Sequence, residues 1–241
     1  MLSDPTFLLT KLDMNEPLIG VYDAPDTTLF EPLAHFPPKM RACLFEFYPD
    51  WMNGKTLVLK AEDYGCGGCG TWWFNRQSRT REGYLDFLAN KEGLKASEEL
   101  MATWFDAAKR YGAAHEYIFV GPLKDTAYEY LKTITFYVNP DQLSVLLTGA
   151  QYFQPYTGEA IVTVDFGSGC MEMLTLLEGK TGPRGIVGST DMAMRNHLPP
   201  DRMAFTVNKE MYENLCRLDE KSFLAKPFLK VLKNARGGRL E

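Results

Sequence analysis

Residues 65–70, Gly-Cys-Gly-Gly-Cys-Gly, constrain the fold of this chain more than any other segment. The glycines free the backbone to turn sharply and to present its N–H groups. The segment follows a predicted strand at residues 56–59 and precedes Trp72, Trp73 and Phe74. Two thiols separated by two residues can ligate one metal ion or form a disulfide. We therefore expect any functional site to include this segment and whatever folds against it.

Composition excludes several classes of protein. The 241 residues are 45% hydrophobic, which is typical of a folded globular chain. The net charge of −5 and the short basic cluster Arg76, Arg79 and Arg81 argue against a nucleic-acid partner. No apolar run approaches the roughly 18–20 residues of a membrane span, and no secretory leader is visible. We expect a cytoplasmic protein without membrane contact, whose five cysteines are thiols or ligands rather than a disulfide framework.

Strand and helix patterns do not alternate regularly enough for a doubly wound fold. We therefore predict a single α+β domain over residues 1–241, with a mixed β-sheet and helices packed on it. The stronger helix predictions are residues 97–111, a helix opened by Asn139-Pro140-Asp141, and residues 209–218. In the first of them, one-face spacing predicts that Leu100, Met101, Trp104, Phe105 and Ala108 face inward. The tail, residues 235–241, is expected to fray. The predicted strands are residues 17–22, 56–59, 117–120, 133–138, 160–164, 186–187 and 204–207.

The sequence disfavours one nucleotide-binding interpretation of the glycine cluster and excludes another. The pattern Gly-x-Gly-x-x-Gly after a strand is typical of a dinucleotide-binding turn, but a second strand ending in an acidic residue should follow. Residues 75–81, Asn-Arg-Gln-Ser-Arg-Thr-Arg, stand there instead. A phosphate loop of the P-loop type is excluded because its Lys-Ser/Thr ending is missing.

A metal centre needs more ligands than Cys66 and Cys69 supply, since a closed zinc site takes four. Sulfur or imidazole ligands would have to come from distant positions: Cys43, Cys170, His35, His115 and His197. The competing interpretation is core packing, because a free cysteine behaves as a small buried hydrophobe. Cys216, among Met211, Tyr212 and Leu215, is predicted to be such a core residue.

Several landmarks together resemble an uncharacterised family, domain of unknown function 169. They are residues 57–63 (Leu-Val-Leu-Lys-Ala-Glu-Asp) followed by a cysteine and glycine turn, Arg41-Ala42-Cys43, Asn139-Pro140-Asp141-Gln142-Leu143, and Gly167-Ser168-Gly169-Cys170. The resemblance extends over roughly residues 5–220. It implies an archaeal or bacterial cytoplasmic protein of no established activity, with Cys43, Cys66 and Cys170 as the matching cysteines. Cys69 is an addition of this chain, and residues 188–191 lack the further glycine and cysteine of many relatives.

The leading hypothesis is a cysteine-lined pocket that binds a metal ion or an iron–sulfur cluster, or performs thiol redox chemistry. Cys66 and Cys69 would be its primary ligands, completed by Cys43 and Cys170. The second hypothesis is a non-catalytic binder of a small anion, held by backbone N–H groups beside an apolar wall. Its residues would be Gly65, Gly67, Gly68, Gly70 and Trp72, with Tyr64 and Trp73. The third is a structural glycine turn, with exposed aromatic residues forming the interface of a homo-oligomer. The sequence assigns no reaction.

Overall fold

Strands drawn from most of the chain meet in one sheet. The computed structural model describes residues 1–35, 43–61, 67–76, 79–167 and 169–240. Its strands are β1 (Ile19–Ala24), β2 (Leu33–His35), β3 (Thr56–Lys60), β4 (Tyr117–Pro122), β5 (Leu131–Val138), β6 (Val162–Thr163), β7 (Gly185–Gly188) and β8 (Met203–Asn208).

The sheet is mixed, in the order β2-β3-β4-β1-β5-β8-β7-β6. The two outer pairs, β2 with β3 and β6 with β7, are parallel. The five pairs between them are antiparallel. The longest strand, β5, lies near the middle and pairs with β1 on one side and β8 on the other.

Helices cover both faces of this sheet. They are α1 (Thr6–Leu12), α2 (Tyr48–Met52), α3 (Gly67–Trp72), α4 (Arg81–Leu85), α5 (Glu98–Ala107), α6 (Pro140–Tyr152), α7 (Cys170–Met173), α8 (Met192–Arg195), α9 (Lys209–Cys216) and α10 (Pro227–Ala235). A 3-10 helix, Leu44–Phe47, precedes α2, and a π-helical stretch, Asp86–Lys91, follows α4.

Side-chain alternation along the strands separates two hydrophobic clusters. Face 1 receives Phe119, Phe136 and Phe205, which pack against α1, α6, α9 and α10. Face 2 receives their neighbours in sequence, Ile118, Tyr137 and Ala204, which pack among residues of α2–α5, α7 and α8. Because successive strand residues point to opposite sides, these two clusters lie on the two faces of the sheet.

The start of α6 shows how local sequence fixes an element. The Asn139 side chain accepts a hydrogen bond from the Gln142 N–H at 2.9 Å, and the Gln142 side chain accepts one from the Asn139 N–H at 3.1 Å. Pro140 occupies the first turn, where its missing N–H is not needed. The predicted helix start at this Asn-Pro sequence is therefore confirmed.

The α+β class and the single domain with a mixed sheet are confirmed. Several details differ from the expectations, among them the helix predicted over residues 97–111, which ends at Ala107. Leu100, placed on the inward face of its helix by periodicity, is 53% exposed. The strand predicted over residues 160–164 is reduced to the two-residue edge strand β6. The expected frayed tail is anchored, because Leu240 is buried and its N–H donates to the Asp13 carboxylate at 3.0 Å.

None of the helices in the described ranges is long and apolar enough to cross a bilayer.

A buried carboxylate ties the segment between α5 and β4 to the sheet. Asp23 of β1 has no exposed surface and accepts four hydrogen bonds. They come from the Tyr111 hydroxyl (2.7 Å), the Ala114 N–H (2.8 Å), and the backbone N–H and ring Nδ1 of His115 (2.9 and 3.0 Å). Burial acts to raise the pKa of Asp23, but these hydrogen bonds outweigh it and hold the pKa below its usual value.

Replacing this carboxylate should destabilise the fold. We expect Asp23→Ala to lower the free energy of unfolding at neutral pH by roughly 3 kcal/mol, because buried donors lose a charged acceptor. Since the folded-state pKa is depressed, this stabilisation is present above the unfolded pKa and is lost as the pH falls through the folded pKa. The deficit of the variant should therefore shrink in acid. Urea unfolding at several pH values measures it.

The matched control is Asp26→Ala. Asp26 is an exposed carboxylate that accepts hydrogen bonds from Thr28, two residues away. We expect a much smaller loss for this variant. Equal losses for the two variants would contradict the anchoring role of Asp23.

Candidate functional site

Three of the four cysteines predicted as ligands contact the same side of the sheet. Cys43 precedes the Leu44–Phe47 helix, Cys69 lies in α3, and Cys170 begins α7. All three pack on the face-2 cluster. α3 and α7 contact each other, and the Trp73 ring N–H donates to the Cys170 carbonyl at 3.0 Å. Cys66, the fourth predicted ligand, lies outside the described residues, as does Gly65.

Cys216 lies on the opposite side of the sheet. It packs against the face-1 cluster, as predicted for a core residue. Burial raises the pKa of its thiol to about 11, although the Tyr212 hydroxyl partly opposes the rise. A thiol held protonated in this way is a poor nucleophile and a poor metal ligand.

The glycine cluster folds differently from the expected loop. From Gly67 onward it is helical, as α3, and the Gly67 carbonyl accepts a hydrogen bond from the Tyr84 hydroxyl at 2.6 Å. Trp72 is only 4% exposed and packs edge-on against Trp104 and Phe105. This ring is therefore part of the core under α5, and Gly68 and Gly70 lie in the helix beside it.

The cysteines within the described residues do not make a metal site by themselves. Within the described ranges, no group of three or more His, Cys, Asp or Glu side chains could hold one metal ion. Cys69 has no exposed surface and packs as a core residue among α3 and its neighbours. A site built on Cys43 and Cys170 would therefore depend on ligands from residues beyond those described, Cys66 among them.

A polar cluster on face 2, which sequence reasoning missed, is the more unusual feature. The strand register brings Tyr137 of β5, Ala204 of β8 and Gly188 of β7 side by side in one row across the sheet. The row therefore changes from a large ring to a methyl group to no side chain at all. Glu172, from α7, places its carboxyl group over Gly188.

The Glu172 carboxyl lies directly against the backbone of β7. A Cβ atom at Gly188 would overlap its oxygens, so only glycine leaves room for it. Oε2 accepts a hydrogen bond from the Ser189 N–H at 2.5 Å. Ser189 has φ of 59°, in the left-handed region that non-glycine residues seldom adopt. The turn after β7 is thus shaped around this carboxyl group.

Four side chains in this region have hydrogen-bonding atoms with no partner among the described residues. They are Glu172 Oε1, Ser189 Oγ, Tyr137 Oη and Trp51 Nε1. All four residues are at most 1% exposed. Trp51 stacks on Tyr137 at 6.5 Å between ring centroids, and Tyr48 meets the same ring edge-on at 5.0 Å. We call Trp51, Tyr137, Glu172 and Ser189 the polar cluster.

Burial favours the neutral forms of the acidic members of the polar cluster. It raises the pKa of Glu172 well above the usual value. The Ser189 N–H and the nearby Ser189 hydroxyl lower the pKa of Glu172, although the hydroxyl does not reach hydrogen-bonding geometry. The negative charge of Asp191 raises the pKa of Glu172 further. Burial also raises the pKa of Tyr137, with additional contributions from Glu172, Tyr48 and Cys43. Cys43 packs on the same face-2 cluster as Tyr137.

The sequence contained a weak signal for this cluster. Glu172 is the one charged residue in the apolar run from Cys170 to Leu177, a composition typical of a buried segment. A carboxyl group in such a run must be exposed or accommodated by a partner. The partner is Gly188-Ser189, which is distant in sequence, so only the folded chain reveals it.

Comparison with known proteins identifies a family and nothing closer. The family model described as "Uncharacterised ArCR", DUF169, matches residues 8–217. Searches of the curated proteins and of the solved structures found no match.

The raised pKa of Glu172 predicts a pH-dependent stability. A carboxyl whose folded-state pKa exceeds its unfolded value stabilises the fold fully below the unfolded pKa, and this contribution is lost as the pH rises towards the folded pKa. Glu172→Gln keeps the shape but cannot ionise. We expect it to gain stability relative to the original chain by up to about 1.4 kcal/mol per pH unit as the pH rises from about 5 to about 8.

Urea unfolding of both chains across this range measures the difference. Glu210→Gln, at an exposed glutamate of α9, is the control and should show no comparable trend. A stability difference between Glu172→Gln and the original chain that stays constant with pH would show that Glu172 titrates normally.

Proposed function

Because the chain belongs to the DUF169 family, whose description assigns no activity, we propose from its geometry that the protein binds a small polar molecule at the polar cluster. One observation carries this proposal. Four side chains that are almost completely buried, from elements that cover or form face 2, have hydrogen-bonding atoms without partners among the described residues. Buried polar groups in native proteins are almost always paired, with protein, water or a bound ligand.

The energetic argument favours a ligand. A buried polar group without a partner destabilises a fold by about 1–3 kcal/mol, and a partner that hydrogen-bonds to it recovers that free energy. Glu172 adds a further cost, because Gly188 and the left-handed Ser189 are needed to accommodate its carboxyl group. A purely structural role would be served equally well by an apolar side chain in α7. Ligand binding explains why a costly arrangement is built here.

Two cysteines, Cys43 and Cys170, pack against the same face-2 cluster. Cys43 lies close enough to act on the pKa of Tyr137, and Cys170 precedes Glu172 by two residues in α7. The proposal thus keeps the cysteine-lined pocket expected from the sequence. It moves the ligand contacts from the glycine segment to the polar cluster. Binding of an anion by Gly65, Gly67, Gly68 and Gly70 stays a prediction.

The test compares two tyrosine-to-phenylalanine variants. Tyr137→Phe removes a hydroxyl that has no partner in the described chain, so we expect the unliganded protein to keep or slightly increase its melting temperature. A thermal-shift panel of carboxylic acids, amides, amino acids and nucleosides, with native mass spectrometry of freshly purified protein, should reveal a ligand that stabilises the original chain. This stabilisation should be lost in Tyr137→Phe.

Tyr212→Phe is the matched control. Its hydroxyl donates to the Ser3 carbonyl at 2.9 Å, on face 1. We expect it to lower the free energy of unfolding by about 1 kcal/mol and to leave the ligand-induced shift unchanged. The proposal fails if no compound raises the melting temperature and no small molecule accompanies the purified protein.

A second candidate function is metal or iron–sulfur binding, or thiol redox chemistry, by Cys43, Cys66, Cys69 and Cys170. The observation that favours it is the placement of Cys43, Cys69 and Cys170 against one cluster while Cys216 lies across the sheet. Thiolates suit both zinc and iron–sulfur clusters. Because Cys69 is fully buried in the core, Cys43, Cys66 and Cys170 are the stronger candidates.

Metal analysis and an anaerobic absorption spectrum test this second candidate. If it holds, Cys43→Ser/Cys170→Ser should lose bound metal or the cluster absorption, because both substitutions remove thiolate ligands. Cys216→Ser, on the opposite face, should retain them. Freshly purified protein that is colourless and metal-free, with thiols that do not cycle under mild oxidant and reductant, would exclude it.

A further inference from the structure

We propose that a cavity lined by α1 and α10 binds a phosphate ester through the ammonium groups of its lysines. The cavity has a volume of about 310 Å³, and all of its lining residues except Lys11 come after residue 217, where the family match ends. Both helices pack on face 1, whereas the polar cluster lies on face 2. The inference is therefore independent of the proposed function, and its failure would leave that function standing.

The lining of the cavity is strongly basic. Among the described residues, no acidic side chain lines it, and four lysines do: Lys11, Lys226, Lys230 and Lys233. Lys226 and Lys230 are exposed, and the other two are partly buried. Leu224 and Leu229, which are almost fully buried, belong to the same lining. The cavity thus offers positive charge to an anionic group and an apolar surface to a short organic part.

Helix periodicity brings three of the lysines to one side of α10. Lys226, Lys230 and Lys233 are four and three residues apart, and residues at these spacings are neighbours on a helix surface. Within the described residues, Lys233 has an acidic partner, Asp13 at 2.6 Å, and the Lys11 ammonium lies 5.1 Å from the centroid of the Phe7 ring. Lys226 and Lys230 can therefore turn to an anion without breaking a side-chain contact in the described part of the chain.

This arrangement of charges is unfavourable without an anion. Like charges at a four-residue spacing destabilise a helix. Lys226 stands at the amino end of α10, where the helix dipole favours negative charge, and the first turn of α10 holds no acidic residue. Residues 221–240 carry six basic side chains and no acidic one, although the net charge of the chain is −5. A dianionic group in the cavity would offset both the repulsion and the position of Lys226.

The chemistry and size of the cavity indicate the class of ligand. A lysine ammonium is a compact point charge with three rotatable N–H donors, and several of them can surround the oxygens of one tetrahedral phosphate group. The volume of about 310 Å³ is at the lower end of the range for small-molecule sites. We expect a phosphate group on a short organic part that lies along Leu224 and Leu229. Free phosphate esters and phospholipid head groups share this chemistry.

A free probe tests the inference. Glycerol phosphate is titrated into the full chain, with glycerol as the probe that lacks the phosphate, and binding is measured by isothermal titration calorimetry. We expect glycerol phosphate to bind, more weakly as NaCl is raised, because salt screens partly exposed charges. Glycerol should not bind. Lys226→Gln/Lys230→Gln, the lysine variant, should weaken binding about tenfold or more, since two charged donors are lost.

Lys180→Gln/Lys221→Gln is the matched control. It removes the same charge from two exposed lysines that do not line the cavity, one of them in the basic C-terminal segment. We expect its affinity for glycerol phosphate to stay within about twofold of the original chain, because salt screens distant charges. Equal losses in the two double variants would show a diffuse attraction instead of a site and would overturn the inference, as would equal binding of glycerol.

Vesicles distinguish the two sources of the phosphate ester. Phosphatidylcholine vesicles that contain phosphatidic acid present the phosphate at a lipid surface, where Phe228 and Val231 of α10, 85% and 61% exposed, would enter the interface. Co-sedimentation that is lost in the lysine variant and in Phe228→Ser/Val231→Ser assigns the ligand to a lipid. Binding of glycerol phosphate that tolerates Phe228→Ser/Val231→Ser assigns it to a free ester. Both outcomes support the inference; no binding to either probe, or binding that the lysine variant retains in full, overturns it.

Discussion

The contact between the Glu172 carboxyl and the Gly188 backbone determines how the chain packs on face 2 of the sheet. The same carboxyl accepts the Ser189 N–H, and that residue takes the left-handed conformation that turns the chain away from β7. The turn delivers Asp191, which caps α8, and α8 places Met194 in the face-2 cluster. The position of α8 therefore depends on the Glu172 carboxyl group, which comes from α7.

α7, which carries that group, is itself fixed from several directions. The Thr133 hydroxyl of β5 donates to the Met173 carbonyl, and the Trp73 ring donates to the Cys170 carbonyl. A four-residue helix has little stability of its own, since the first turn is costly to nucleate. These tertiary hydrogen bonds, together with burial of Met171 and Met173, hold it in place. Glu172 is thus presented by its surroundings rather than by helix propensity.

The fold could be predicted from the sequence far better than the site could. Alternation and apolar runs identify β3, β4, β5 and β8, and the Asn139 capping box marks the start of α6, because these signals are local. Leu100 shows a limit of periodicity: a side chain on the inward side of its helix stays exposed where no other element covers it. The anchored Leu240 depends on Asp13 at the other end of the chain, which no local pattern contains.

Sequence reasoning directed attention to the cysteines because Cys-x-x-Cys among glycines is a visible motif. The polar cluster has no such motif. Tyr137 and Glu172 come from a strand and a helix that read as ordinary core, and their meeting depends on the register of β5, β8 and β7. The signal that distinguishes them is energetic, a carboxyl group and hydroxyls buried without partners, and burial is a property of the folded chain.

The two candidate functions require opposite protonation states of the groups that take part in them. Metal binding requires deprotonated ligands, because thiolates and carboxylates, not thiols and acids, coordinate the ion. The burial around Glu172 and Tyr137 favours their protonated forms, and the Asp191 charge strengthens that preference at Glu172. A metal ion could reverse it only by adding positive charge close to the carboxyl group. Without such a charge, burial favours the protonated forms of Glu172 and Tyr137, and this is the physical reason for placing a small polar ligand, rather than a metal ion, at the polar cluster.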